Sequence, residues 1–334
     1  MERVVGARWY FPEQHGGTSV IERKTLSVPP LHYRDAPVYR MRDDWPHSSK
    51  HPMLRGTSLG TVKTMGRSGN TWPIQLNVHQ PARWDRVYRD TRPEIFQLRA
   101  DGGRNWGMLS YGHPKTLETF LENIAFFYDE LDGKKPKRKT HDAYRVSFIK
   151  GNAITVSPGD QQIGDEYEGS KKLMEPEKGA YGSASKLMAH FVSKLAHRVK
   201  ERWPDKTILY LAYLNYTLAP DAADVDFPGN VEVQLCGMPG LALYKEPKVW
   251  AEYQGNIDRW RELSGRKVQT WEYSCWPADR TSAYYQYPHT LQEYYRHNRD
   301  KIVGSFINGT TRTDESVRHH ITLYAWLRIM WNPD

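Results

Sequence analysis

Cysteine is nearly missing from this chain: Cys236 and Cys275 are the two in 334 residues. That is too few for a disulfide framework, and the sequence leaves open whether they pair. Long apolar runs are missing too, so no membrane-crossing helix is expected, and no signal-peptide pattern opens the chain. No strand-like segment is followed by a glycine-rich dinucleotide turn. There is no Gly-x-Ser-x-Gly elbow and no phosphate-cradling loop, which disfavours acyl and phosphoryl transfer. Thirteen histidines are present, yet none falls in His-Glu-x-x-His or Cys/His ligand spacing, and "RHH" (318–320) sits in an amphipathic helical stretch. The expectation is therefore no catalytic metal and no cofactor. Nucleic-acid reader motifs are absent as well. The 47 Lys+Arg against 39 Asp+Glu give a net +8, read as a solvated surface. The one dense basic run, "GKKPKRK" (133–139), falls where a loop is expected.

What is abundant is tyrosine and tryptophan, 21 and 12, against only 9 phenylalanines. Both combine an apolar ring face with a polar edge, which suits stacking on sugars, although barrels also pack such residues in their outer layers. From residue 37 onward, strand-like and helix-like segments alternate. "PVYRMRD" (37–43), "WPIQLNVH" (72–79), "WGMLSYG" (106–112) and "YRVSFIKGNAITVS" (144–157) read as strands. "TILYLAYLNY" (207–216), "NVEVQLCG" (230–237), "KVQTWEYS" (267–274) and "KIVGSFING" (301–309) complete eight. Helical spacing runs through Leu117, Phe120, Leu121, Ile124, Phe127 and Leu131, and again through Leu187, Met188, Phe191, Val192, Leu195 and Val199, with Ser183 as the N-cap. Further helices are expected over 247–264, 290–300 and 314–331. Eight strands alternating with helices predict a TIM-like (β/α)8 barrel over residues 37–334, with a doubly wound open sheet as the alternative. Residues 1–36 break the rhythm and read as the remnant of a preceding small α/β domain.

In such a barrel the chemistry collects where strands run into the loops that follow them. The first strand would deliver Arg40, Arg42 and Trp45, and the second Asn77 and His79. The fourth would bring Asp160, and the fifth Tyr213 and Asn215. The seventh would bring Trp271, Glu272, Tyr273 and Trp276, and the eighth Asn308. Carboxylates, aromatics, amides and arginines with little aliphatic content are what a carbohydrate cleft needs. Glycosidic bond cleavage uses two carboxyl groups in different environments, one to protonate the departing oxygen and one to support the anomeric carbon. Asp160 and Glu272, at the ends of facing strands, are the candidate pair. Each has a plainer reading: Asp160 as a turn-forming aspartate after Pro158-Gly159, Glu272 as a buried partner of a rim arginine. Asp165, Glu166 and Glu168 are expected to be solvated, with Glu166 or Glu168 able to swing in as an acid. His79 could bind substrate, orient an acid or fill the rim.

With these residues laid out, the chain resembles the family known as domain of unknown function 4838, part of which is classified as glycoside hydrolase family 163. The resemblance rests on "GARWYFPEQHGG", "PVYRMR", "RPEIFQLRADGGR", "WGMLSYGHPKTLETFLENI", "VSPGD", "LAYLNYTLAP", "NVEVQLCG", "TWEY", "VGSFINGT" and "LYAWLRIMWNPD", in family order. It implies a TIM-like barrel behind a small α/β domain, export from the cytoplasm, and endo-β-N-acetylglucosaminidase activity on N-glycans. It also implies attack by the substrate's own acetamido oxygen. Asp160 matches the strand-four acid of the family and Glu272 the acid between Trp271 and Tyr273. The chain departs from the family at Ile307 and Asn308, where an acid is common, and in "QQIGDEYEGSKK", where cysteines are common. Three readings follow: a retaining, substrate-assisted N-acetylhexosaminidase; a uronidase or other hydrolase of acidic polysaccharide using Arg40, Arg42 and Arg312; and a non-catalytic carbohydrate-binding barrel.

Overall fold

The computed structural model describes residues 6–9, 17–44 apart from 26, 29, 31, 33 and 34, then 67, 69–76, 78–237, 246–273, 287–308, 322 and 324–334. Trp45, Asn77, Cys275, Trp276 and Arg312 lie outside these residues. In chain order the strands are β1 (Arg8–Trp9), β2 (Thr18–Ser19), β3 (Met41–Asp44), β4 (Gly69–Asn70), β5 (Phe96–Leu98), β6 (Arg104–Leu109), β7 (Ile149–Lys150), β8 (Ala153–Val156), β9 (Thr207–Ala212), β10 (Val231–Cys236), β11 (Val268–Tyr273) and β12 (Ile302–Asn308). Long helices among the described residues include α1 (Pro114–Ala125), α2 (Ser185–Arg202), α3 (Pro247–Ser264) and α4 (Pro288–His297). Two compact units contain them. The first takes Met1–Trp72, Gly237–Gln254 and Gln269–Asp334, and the second Pro73–Cys236 and Gly255–Val268.

The second unit is built on the parallel run β8, β9 and β10, with β7 antiparallel at the edge. Every residue of these three parallel strands is buried, as expected of strands covered on both faces. The register sets Val156 beside Tyr210 and Tyr210 beside Val233, so the strands end close together. Helix α2 buries Leu187, Met188, Phe191, Val192, Leu195 and Val199, the stripe its spacing predicts. It starts at Ser185 without a side-chain cap, and the expected cap residue, Ser183, has its hydroxyl taken by Asn215 instead. Helix α1 packs on α2 through a narrower face than expected: Phe120 and Ile124 are buried, while Leu117 and Leu121 flank them half-buried. Aromatic rings lock this corner. Phe120 lies 4.9 Å from both Trp84 and Phe148 and 5.2 Å from Phe191.

In the first unit the strands run β4–β3–β12–β11, with β12 parallel to β3 and β4 antiparallel to it. Helix α4 covers this unit with Leu291, Tyr294 and Tyr295 buried.

The fold is thus mixed α/β, with the expected alternation holding from β8 onward. The closed barrel of eight parallel strands is not what the described residues form at two of the expected positions. The described residues among 71–79 contain no strand, and Gln80 makes an isolated antiparallel bridge to Ser157. The segment expected at 106–112 is β6, which pairs antiparallel with β5 in a separate two-stranded sheet. Both departures have local causes. Asn70 and Pro73 punctuate the first segment, and "ADGGR" supplies the hairpin turn, with Gly102 at φ 79°.

Candidate functional site

Asp160 stands where β8 runs out. The strand is pinned at its end by paired backbone bonds, Gln80 N–H to Ser157 O at 2.6 Å and Ser157 N–H to Gln80 O at 3.2 Å. Gly159 then passes so close to β6 that a Cβ there would stand 2.9 Å from Gly107 O and 3.0 Å from Met108 Sδ. A glycine is needed for that approach. The Gln161 side chain fastens the same turn to β6 through Asn105 Nδ2, 3.0 Å away. Asp160 is left exposed, and the Tyr213 hydroxyl, arriving from the end of neighbouring β9, donates to its Oδ1 at 2.5 Å. Parallel pairing of β8 with β9 therefore brings together two residues 53 positions apart in sequence.

The loop after Asp160 is held from below. Asn215 is 2% exposed: its Nδ2 donates to Ile163 O (2.9 Å) and Ser183 Oγ (3.1 Å), and its Oδ1 accepts from Ile163 N–H (3.0 Å). Expected to meet substrate, it is instead committed to the loop. Asp165 also departs from expectation. It is buried, accepting from Leu98 N–H and Tyr167 N–H at Oδ1 and from the hydroxyls of Ser110 and Ser170 at Oδ2. Four donors satisfy one carboxylate, which is the condition for keeping a charge away from water. Glu166 and Glu168 are exposed, as expected, with Lys171 3.3 Å from Glu166. Farther along, Glu175, Asp221 and Asp224 gather within ligating distance of one another, but Lys178 bridges the first two and Lys186 holds the third.

A cleft of about 240 Å³ opens on the other side of Gly159. Its lining includes His79, Arg83, Asp85, Trp106 and Met108. His79 and Arg83 are both in the left-handed region, at φ 53° and 64°. His79 is exposed, with its N–H on Ser157 Oγ and Nδ1 3.2 Å from Pro158 O. A carbonyl can only accept, so Nδ1 carries the proton and Nε2 is the lone-pair nitrogen of the neutral ring. Of these residues the sequence reading named His79 alone. The signal for the rest was "HQPARWD", a turn-forming proline followed by an anchoring tryptophan.

Glu272 belongs to the first unit, and its surroundings differ from those of a rim acid. The side chain is 1% exposed. Its Oε1 accepts from Tyr253 on α3 at 3.0 Å and from Tyr294 on α4 at 2.7 Å. A Cβ at Gly237 would stand 2.4 Å from Oε2, so the carboxylate fills the space that glycine leaves. Two residues back, Thr270 meets Ser305, which accepts from Tyr295, and Tyr295 in turn takes the Trp326 indole N–H. Burial, with the charge of Glu272 nearby, drives the Tyr295 hydroxyl pKa far upward. Trp271 and Tyr273 are half-buried on the opposite face of β11, the Trp271 ring 4.3 Å from Phe306. Strand alternation separates the three residues that the sequence reading sent to one rim. Asn308 is half-buried at the end of β12.

The arginines of the first strand also divide. Arg40 is exposed, over the Trp72 ring and bonded to Thr71 O at 3.0 Å. Arg42 is 4% exposed, donates to the carbonyls of Arg67 and Tyr39, and stacks on Trp331 at 5.1 Å. Burial lowers its pKa. An arginine so enclosed does not present a rim charge to an acidic polymer.

No curated protein and no solved structure matches this chain. A family model, Domain of unknown function (DUF4838), matches residues 13–334. Since that match takes in the strand carrying Asp160, the strand carrying Glu272 and everything between them, the chain belongs to the DUF4838 family.

Proposed function

We propose that this chain is a glycoside hydrolase acting on an N-acetylhexosamine linkage, with Asp160 as the carboxylate that meets the sugar. One observation carries the proposal: Asp160 is exposed at the end of a buried parallel strand, oriented by Tyr213 from the next strand and flanked by a cleft. A parallel run covered by helices is the framework from which TIM-like barrels are made, and their chemistry sits at such strand ends.

In the substrate-assisted route, the acetamido oxygen attacks the anomeric carbon as the bond to the leaving oxygen breaks. Asp160 accepts a hydrogen bond from the acetamide N–H and so makes that oxygen more nucleophilic. Tyr213 keeps one Asp160 oxygen engaged and the carboxylate in a single orientation, which is worth most when it costs no reorganisation during the reaction. An acid must protonate the departing oxygen. Glu272, enclosed by two tyrosines at 1% exposure, serves structure in this reading. The acids available on the Asp160 loop are Glu166 and Glu168, both exposed.

The test is turnover of an N-glycoprotein and of a panel of chromogenic N-acetylhexosaminides. The Asp160→Asn variant should fold normally and lose about 10²–10⁴-fold in kcat, the range for a positioned acid–base group. Silence across the panel, or full activity in Asp160→Asn, would refute the proposal.

A further inference from the structure

We infer that the cleft beside Asp160 is a subsite for one neutral hexopyranose ring, gripped through adjacent hydroxyls by Asp85 and Arg83; the inference rests on the glycan-active reading above.

Size is the first argument. At about 240 Å³ the cleft falls below the roughly 300–1,000 Å³ typical of drug-sized ligands, which leaves room for a single ring. Rigidity is the second. His79 and Arg83 hold left-handed backbone, which strains a residue with a side chain and persists only when the surroundings enforce it. Here they do. Ser157 holds His79 and Gln80, while Ala82 N–H is shared by Gln80 Oε1 (3.0 Å) and Ser147 Oγ (3.1 Å). Trp84, 1% exposed, plugs the loop into the aromatic corner and donates to Arg145 O at 3.2 Å. The anchored tryptophan lies between Arg83 and Asp85, so both are presented from fixed backbone.

Charge is the third argument. Among the described residues neither the Asp85 carboxylate nor the Arg83 guanidinium has an ion pair or a side-chain hydrogen bond, although both line the cleft, the first half-buried and the second exposed. A carboxylate can only accept and a guanidinium can only donate. A neutral vicinal diol satisfies both, since its hydroxyl protons go to Asp85 and its oxygens receive Arg83. An anionic ligand would be repelled by Asp85, and an apolar one would strip water from two charges without replacing it. Trp106, half-buried in the same lining, offers apolar ring surface to the sugar's C–H groups.

The probe is methyl β-D-glucopyranoside, whose hydroxyls at C2, C3 and C4 are adjacent and equatorial, followed by saturation-transfer NMR titration of the whole chain. Saturable binding is expected in the wild type. Asp85→Asn and Arg83→Ala should each weaken it by about tenfold or more, the loss from removing a hydrogen bond to a charged group, with melting temperatures unchanged. Absence of binding, undiminished binding in both variants, or a preference for inorganic phosphate or glucuronate would overturn the inference. The two failures look different. Binding that depends on Asp85 and Arg83 in a protein that cleaves no glycoside defeats the hydrolase reading alone. Turnover that depends on Asp160 but is indifferent to Asp85 and Arg83 defeats the subsite alone.

Discussion

Replacing Glu272 separates a structural carboxylate from a catalytic one. Oε1 receives two tyrosine hydroxyls, at 3.0 and 2.7 Å, in a site 1% exposed. A hydrogen bond to a charged group contributes about 1.5–3 kcal/mol. Tyr253→Phe or Tyr294→Phe should therefore each cost about that much, which at roughly 2–4 °C per kcal/mol for a domain of 150–250 residues lowers the melting temperature by about 3–12 °C. Because both hydroxyls converge on one oxygen, and their rings stack 6.3 Å apart at 21°, the double variant should not equal the sum of the singles. Glu272→Ala removes the acceptor from both buried hydroxyls and leaves a void, so a loss of about 3–5 kcal/mol is expected, whereas Glu272→Gln keeps the shape and an accepting oxygen and should cost less. The assay is thermal melting together with kcat on whichever glycoside the wild type cleaves. The structural role predicts that Glu272→Gln melts lower while its residual kcat stays within a few-fold of wild type. A Glu272→Gln protein that melts like the wild type but has lost turnover by orders of magnitude would refute the reasoning and restore Glu272 as a reacting group.

Tyr213→Phe removes the 2.5 Å hydrogen bond that orients Asp160 and should lower kcat by about tenfold or more while the fold is unaffected; equal kcat in steady-state assays would count against the pair. Asn215→Ala deprives Ile163 of both its backbone partners and should cost about 2–4 kcal/mol, with proteolysis of the 160–166 loop accelerating before the rest of the chain is cut. His113 caps α1 by accepting Lys115 N–H at 3.2 Å, a role only the neutral ring can fill, and burial lowers its pKa below the usual histidine value. The folded state thus binds the proton less readily than the unfolded state. This contribution to stability is complete above the ordinary histidine pKa, and it is lost as pH falls through the lowered one. His113→Ser keeps a cap without a titrating ring, so its melting temperature should fall less between pH 7.5 and 5; parallel curves for both proteins would dismiss the cap.

The elements with strong periodicity were legible without coordinates. Helix α2 shows its six-residue stripe in sequence and buries all six. The β-branched and aromatic runs of β8, β9 and β10 are as buried as their composition implies. Legibility failed where pairing partners, and not local preference, decide the outcome. "WGMLSYG" is as strand-like as the others, yet the turn before it offers β5 as a hairpin partner only a few residues away. Closing a short loop costs less conformational entropy than reaching a distant parallel neighbour. Polar residues were harder still. Asp165 and Asp160 lie five positions apart in one loop, one buried under four donors and the other in solvent, and no local pattern distinguishes them. The difference is made by Ser110, Ser170 and the backbone of Leu98, which only the folded chain assembles.

One misplacement was avoidable. Strand periodicity alone states that Trp271 and Tyr273 share a face and that Glu272 does not. Reading "WEY" as three residues delivered to one rim treated a strand end as a point, when it is still a two-sided ribbon. The same arithmetic explains why the first unit needs a carboxylate there at all. On the helix side of β11 the neighbours are tyrosines on α3 and α4, whose hydroxyls must find acceptors once α3 and α4 cover the strand. A single Glu at 272, given room by Gly237, accepts both hydroxyls at one oxygen. An apolar residue at 272 would take that acceptor away from both hydroxyls, so the acid has work to do in the fold whether or not the protein ever cleaves a sugar.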